Sequence, residues 1–177
     1  MSGMAVLSAP GVPEGWHRRE AVRIIDPLGL AAAWIAPGLA GACISLSSRE
    51  TTELPWRTVL ASAPGWDWLG CEIVCTRHND EPVPLRSVAS SSGLHERDPT
   101  QIIVIVHLPE RDLFVRSRCA EGALEFGWSW SESASNDNPF HCLDYRLTDV
   151  RDSPVSVSRH MGVNAIDLTI QFGNASG

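Results

Sequence analysis

The amino-acid sequence predicts an all-β fold: a single antiparallel β-sandwich (jelly-roll-like) or a barrel of about ten short strands. Three observations carry this. Apolar and polar residues alternate with period two in several separate segments. Pro and Gly stand at the joints between those segments. No window of a dozen residues shows the i, i+3, i+4, i+7 apolar spacing of an amphipathic helix. The chain has 177 residues, a length that suits one domain. We read 1–177 as one β-rich domain, with 1–20 as an N-terminal extension and 77–100 as a long loop.

Taken in order, short strands are expected at 22–25, 30–35, 42–47, 56–61 and 69–76. Residues 102–108 (IIVIVHL) are apolar on both faces, the pattern of a central strand. Pro109-Glu110-Arg111-Asp112 then makes a turn, and 113–119 returns with Arg116 and Arg118 on one side. In 124–132, Leu124, Phe126, Trp128 and Trp130 alternate with Glu125, Gly127, Ser129 and Ser131. In 141–149, Leu143, Tyr145 and Leu147 oppose Cys142, Asp144 and Arg146. A weaker strand at 154–158 precedes 164–172, where Asn164, Ile166, Leu168, Ile170 and Phe172 share a face against Asp167, Thr169 and Gln171. Residues 131–140 form a polar turn region. The segment 77–100 holds three prolines, a serine run and no periodicity, so it reads as a structureless loop of the functional or mobile kind.

One run tests solubility. Pro27 to Ser48 carries no charge, and its length is enough to span a bilayer. Its two prolines, three glycines and many alanines argue for two buried strands joined at Pro37-Gly38. Leu39 to Cys43 (LAGAC) faintly matches a lipoprotein processing site, but Glu14, Glu20 and Asp26 precede it. No membrane partner is expected.

Net charge is −7, and no run of cations offsets it, so general nucleic-acid binding is not expected. All 14 cationic side chains are arginine. Five cysteines without tight spacing (Cys43, Cys71, Cys75, Cys119, Cys142) read as reduced thiols of a cytoplasmic or otherwise intracellular protein.

Cys71-x3-Cys75 followed by His78 resembles metal-ligand spacing. On a strand, however, four residues span about 13 Å, too far for two thiolates to share one zinc ion. No metal site and no cofactor are expected, since the nucleotide-binding and nucleophile motifs are absent. Seven tryptophans are the most unusual feature. Trp128 and Trp130 continue the face of Leu124 and Phe126, which favours core or a pocket floor. Trp66 and Trp68 sit beside Pro64-Gly65, where two indoles on one side of an extended segment can form a platform for a sugar ring or another flat ligand, or else fill core. The long loop adds His78, Asp80, Glu81, His95, Glu96 and Asp98, with His78 and His95 as candidate ligand contacts. His141 and Tyr145 share one strand face and are the candidate catalytic pair.

The stretch from Asp26 to Leu54, with Gly29, Pro37, Gly41 and Glu53-Leu54, resembles the opening strands of aldose-epimerase (galactose mutarotase) proteins. It covers about a sixth of the chain. No segment aligns with that family's catalytic histidine and glutamate, so its activity is not carried over.

The leading expectation is a non-catalytic sandwich, acting as a structural or assembly subunit or as a ligand-binding module. Its partner would be a second copy or a small-molecule or glycan ligand. The first alternative is a small cofactor-free barrel enzyme of cyclase or isomerase type, with a Trp-lined apolar pocket. The second is a carbohydrate-binding or mutarotase-like sandwich.

Overall fold

Among the described residues, thirteen strands pair into two antiparallel sheets in the computed structural model. The structure describes residues 10–77, 80–120, 123–131, 140 and 142–147, and the backbone of 155–162 and 165–172. Strands are numbered in chain order. The first sheet contains β1 (Val22–Ile25), β2 (Ala31–Ala36), β3 (Ala42–Ser48), β4 (Arg57–Ala61), β5 (Cys71–Thr76), β6 (Val83–Pro84) and β11 (Cys142–Leu147). Its spine runs β1-β2-β3-β5-β11, with β4 on β3 and β6 on β5. The second sheet contains β7 (Ser91–Asp98), β8 (Gln101–His107), β9 (Asp112–Ala120), β10 (Ala123–Trp130), β12 (Val155–Gly162) and β13 (Ala165–Phe172), in the order β12-β13-β10-β9-β8-β7.

The period-two pattern decides which faces meet. Ile24, Ala33, Ile35, Leu46, Ile73 and Tyr145 from the first sheet pack with Ile102, Val104, Val106, Leu113, Val115 and Phe126 from the second in one core. Each of the Ile, Leu, Val and Phe side chains contributes about 1.5–3 kcal/mol by leaving water. Cys71 and Cys75 lie in this core, on the same inward face of β5. The Pro109 turn also forms as read: His107 pairs Asp112 across β8 and β9.

The first sheet is covered on its other face too. Trp16, Ala21, Trp34, Ala36, Ala42, Ile44 and Leu69 form a second apolar layer. The Trp16 indole donates to the Ser62 carbonyl at 2.8 Å, and the Trp34 indole donates to the Pro10 carbonyl at 3.1 Å. Residues 10–20, expected as an extension, are therefore part of the packed domain. Burial on both faces is why the run from Pro27 to Ser48 tolerates no charge: it is the β2–β3 hairpin. No helix among the described residues is long and apolar enough to cross a membrane.

The hairpin turns at Pro37–Leu39, a single 3-10 turn. Gly41 follows with φ 74°, and a Cβ there would meet Val115 Cγ1 at 3.1 Å, so glycine serves both the backbone and the close approach to β9.

The segment 77–100 is not a structureless loop. It contains β6, one helical turn at Leu85–Val88 (α1), and the eight-residue strand β7. Among the described residues β7 pairs with β8 alone, and its register shifts between Leu94 and Glu96. An edge strand with a bulge needs no apolar alternation, so its charges hid it. His78 and His141, and most of 131–140, lie outside the described residues.

Candidate functional site

The outward face of the second sheet differs from that of the first. The alternation that buries Ile102, Val104 and Val106 turns Ile103 and Ile105 outward, and the same rule turns Phe114, Arg116 and Arg118 outward on β9. Register then fixes the neighbours. Ile103 stands opposite Arg116, which stands opposite Gly127, while Ile105, Phe114 and Ser129 form the next row. Asp167 of β13 occupies the register position beyond Gly127, and His160 of β12 the one beyond that.

Gly127 brings no side chain to its row, and the space opens as a groove. Its volume is about 470 Å3, and its lining includes Ile103, Phe114, Arg116, Ser129, His95 and Glu96. The bulge in β7 places the exposed His95 ring 5.0 Å from the Phe114 ring, tilted by 49°. Paired polar side chains close both flanks. Arg118 Nη2 lies 2.6 Å from Glu125 Oε2 in the row on one side. On the other side His107 Nδ1 lies 2.9 Å from Asp112 Oδ1. Between them the groove offers an apolar floor, one guanidinium, one carboxylate and one imidazole.

Trp128 contributes to the groove lining while its residue sits in the core. It belongs to an aromatic cluster at one end of the sandwich. Phe126 and Tyr145 have ring centroids 5.8 Å apart, Trp128 and Trp130 meet edge to face at 6.1 Å, and Trp130 stacks on Phe140 at 6.4 Å. Arg111 covers the Trp130 ring at 4.7 Å and Arg77 covers Phe140 at 5.1 Å. Tyr145 is thus a core aromatic, and His141, its expected catalytic partner, lies outside the described residues.

Trp66 and Trp68 are not paired indoles on an extended segment. The Trp66 N–H donates to the Ala63 carbonyl, closing a turn. Trp66 remains exposed, whereas Trp68 is half-buried beneath the Arg146 guanidinium at 4.2 Å. The turn demanded by Pro64-Gly65 overrides the extended reading.

No family model, no curated protein and no solved structure matches the chain.

Several titratable groups outside the groove serve the fold. Glu72 is buried and accepts hydrogen bonds from the Leu69 N–H and from Arg86 Nε, the latter at 2.8 Å. Burial pushes its carboxyl up, and the Leu69 N–H, Arg86 and Arg146 oppose that rise. Arg86 also reaches the carbonyls of Trp66 and Asp67, at 3.3 and 2.9 Å. Asp98 accepts from the Thr100 N–H and hydroxyl and from the Gln101 N–H, bonds that hold its carboxyl below the usual range and set the β7–β8 turn. Burial pushes the Cys43 thiol up to about 12 and the Cys75 thiol up to about 11. Among the described residues, no group of three His, Cys, Asp or Glu side chains is placed to hold a metal ion.

Two candidates from the sequence, His95 and Trp128, therefore meet at one site. Glu96, read with His95 as part of the polar loop, lies there too, whereas Phe114 and Arg116 were missed as site residues. The available signal was an aromatic in the wet row of β9, with a glycine in the wet row of β10.

Proposed function

We propose that the chain is a non-catalytic ligand-binding sandwich whose site is the outward groove of the second sheet. The observation that carries this is the double-sided character of β8. Ile103 and Ile105 face away from the core, yet no layer of the described chain covers them as Trp16 and Leu69 cover the first sheet. The groove volume falls in the range of about 300–1,000 Å3 typical of small-molecule sites, which pair apolar walls with a few placed polar groups. Ile103 and Phe114 suit a flat apolar body. Arg116 suits a carboxylate or carbonyl on that body, and Glu96 a hydroxyl or amine. Bound this way, the ligand needs no chemistry from the protein.

Saturation-transfer NMR with planar aromatic carboxylates and with glycans tests the reading. Aromatic carboxylates are expected to bind the wild type and to lose at least about ten-fold in affinity in Phe114→Ala, which deletes a ring contributing about 1.5–3 kcal/mol when buried. Undiminished binding in that variant, or no binding by any member of the panel, overturns the assignment. A dimer that Phe114→Glu dissolves would show instead that a second copy covers this face.

A further inference from the structure

A second cavity lies away from the groove, where the N-terminal segment crosses the edge of the sandwich. Its volume is about 240 Å3, and it is lined by Arg18, Ala21, Val22, Arg23, Trp34 and Arg97. Three guanidinium groups from three elements converge there: the 17–20 turn, β1 and the end of β7. The lining includes no carboxylate. That is costly in itself, since like charges in one cleft repel, and unusual in a chain of net charge −7.

The carboxylates nearest to these arginines in sequence make other contacts and line no part of this cavity. Glu20 accepts the His17 N–H at 2.8 Å. Asp98 is bonded to Thr100 and Gln101. Glu96 lies on the opposite face of β7 from Arg97 and lines the groove. Among the described residues, none of the three arginines is in an ion pair. Their frame is nonetheless built. Arg23 Nη1 donates to the Pro10 carbonyl at 3.2 Å, and its guanidinium sits 5.7 Å from the Trp34 ring centroid, leaving the other N–H groups of the fork. The Glu20 N–H donates to the His17 carbonyl at 2.9 Å, so reciprocal bonds brace the turn carrying Arg18.

We propose that Arg18, Arg23 and Arg97 form a binding site for a phosphate group, carried either by inorganic phosphate or by a small phosphate monoester. Arginine forks match the tetrahedral oxyanion with paired N–H bonds, and an anion is the missing counter-charge. This site is independent of the groove.

Titration by 31P line width and by calorimetry, at constant ionic strength in chloride, tests it. Inorganic phosphate and phenyl phosphate are the two probes. The wild type is expected to bind at one site, with Arg97→Ala and Arg18→Ala each weakening it by about ten-fold or more, as loss of a charged hydrogen-bond donor predicts. Both arginines are exposed, so the fold should persist, and circular dichroism checks this. Arg57→Ala on β4, remote from the cleft, and Phe114→Ala in the groove are expected to bind as the wild type does. Tighter binding of phenyl phosphate assigns the site to esters, and equal binding to the free ion. Absence of binding by both probes overturns the proposal, as does equal weakening by Arg57→Ala.

Discussion

Replacing Arg86 by alanine should cost about 3 kcal/mol of stability at pH 7. Arg86 is the cationic partner of Glu72, whose side chain is only 3% exposed. Removing one partner of a buried pair strands the other charge, at about 3–5 kcal/mol. Arg86 is itself partly exposed, with 21% of its side chain accessible, which places the effect at the low end. The lost bonds to the Trp66 and Asp67 carbonyls add to it, and they free the turn that carries Trp66. The pH dependence gives the stronger test. The Glu72 carboxyl is raised above its ordinary value of 4.5 by burial. The stability linked to its proton is therefore complete below that value and is lost as pH rises through the folded value. Without Arg86 the rise is larger, so the variant should lose more stability than the wild type between acid and neutral pH. Urea unfolding at pH 4 and pH 7 measures both. A deficit under about 0.5 kcal/mol at pH 7, or one identical at the two pH values, refutes the reasoning. Adding Glu72→Gln should recover much of the loss.

Other perturbations probe the rest of the frame. Gly70→Ala should destabilise by about 1–3 kcal/mol in thermal or urea unfolding, because a Cβ there would overlap Leu60 Cδ1 and stand 2.7 Å from the Cys43 carbonyl oxygen. Phe126→Ala empties the centre of the core and should cost about 3–5 kcal/mol in the same assay. Alkylation of the native protein at pH 8 should label Cys142 alone among the five cysteines, since the other four are buried; mass spectrometry after unfolding should find all five labelled.

The alternation in 124–130 and 143–147 was enough to place strands and inward faces, because one buried face imposes period two directly. The apolar run 102–108 was legible as a strand, but its outward face, half-buried at Ile103 and Ile105, was not. The uncharged run to Ser48 was legible as a hairpin through Pro37-Gly38. Its second covering layer was not, since Trp16 and Leu69 are far from it in sequence and bear no local pattern. β7 escaped notice because an edge strand bearing His95, Glu96, Arg97 and Asp98 looks like a solvated loop. The groove was hidden for a different reason. Ile103, Phe114 and Gly127 become neighbours only through the register of three strands, and register is set by turn geometry that composition does not reveal. Trp66 and Trp68 drew attention by residue type alone, yet a turn and Arg146 keep them from forming a flat platform.

The most direct test of the groove is a chemical-shift map of 15N-labelled protein titrated with a planar aromatic carboxylate. The account predicts shifts confined to His95, Glu96, Ile103, Phe114–Arg116 and Gly127–Ser129. Shifts centred on Trp66, or on the arginines around Trp34, with the groove residues unmoved, would contradict it.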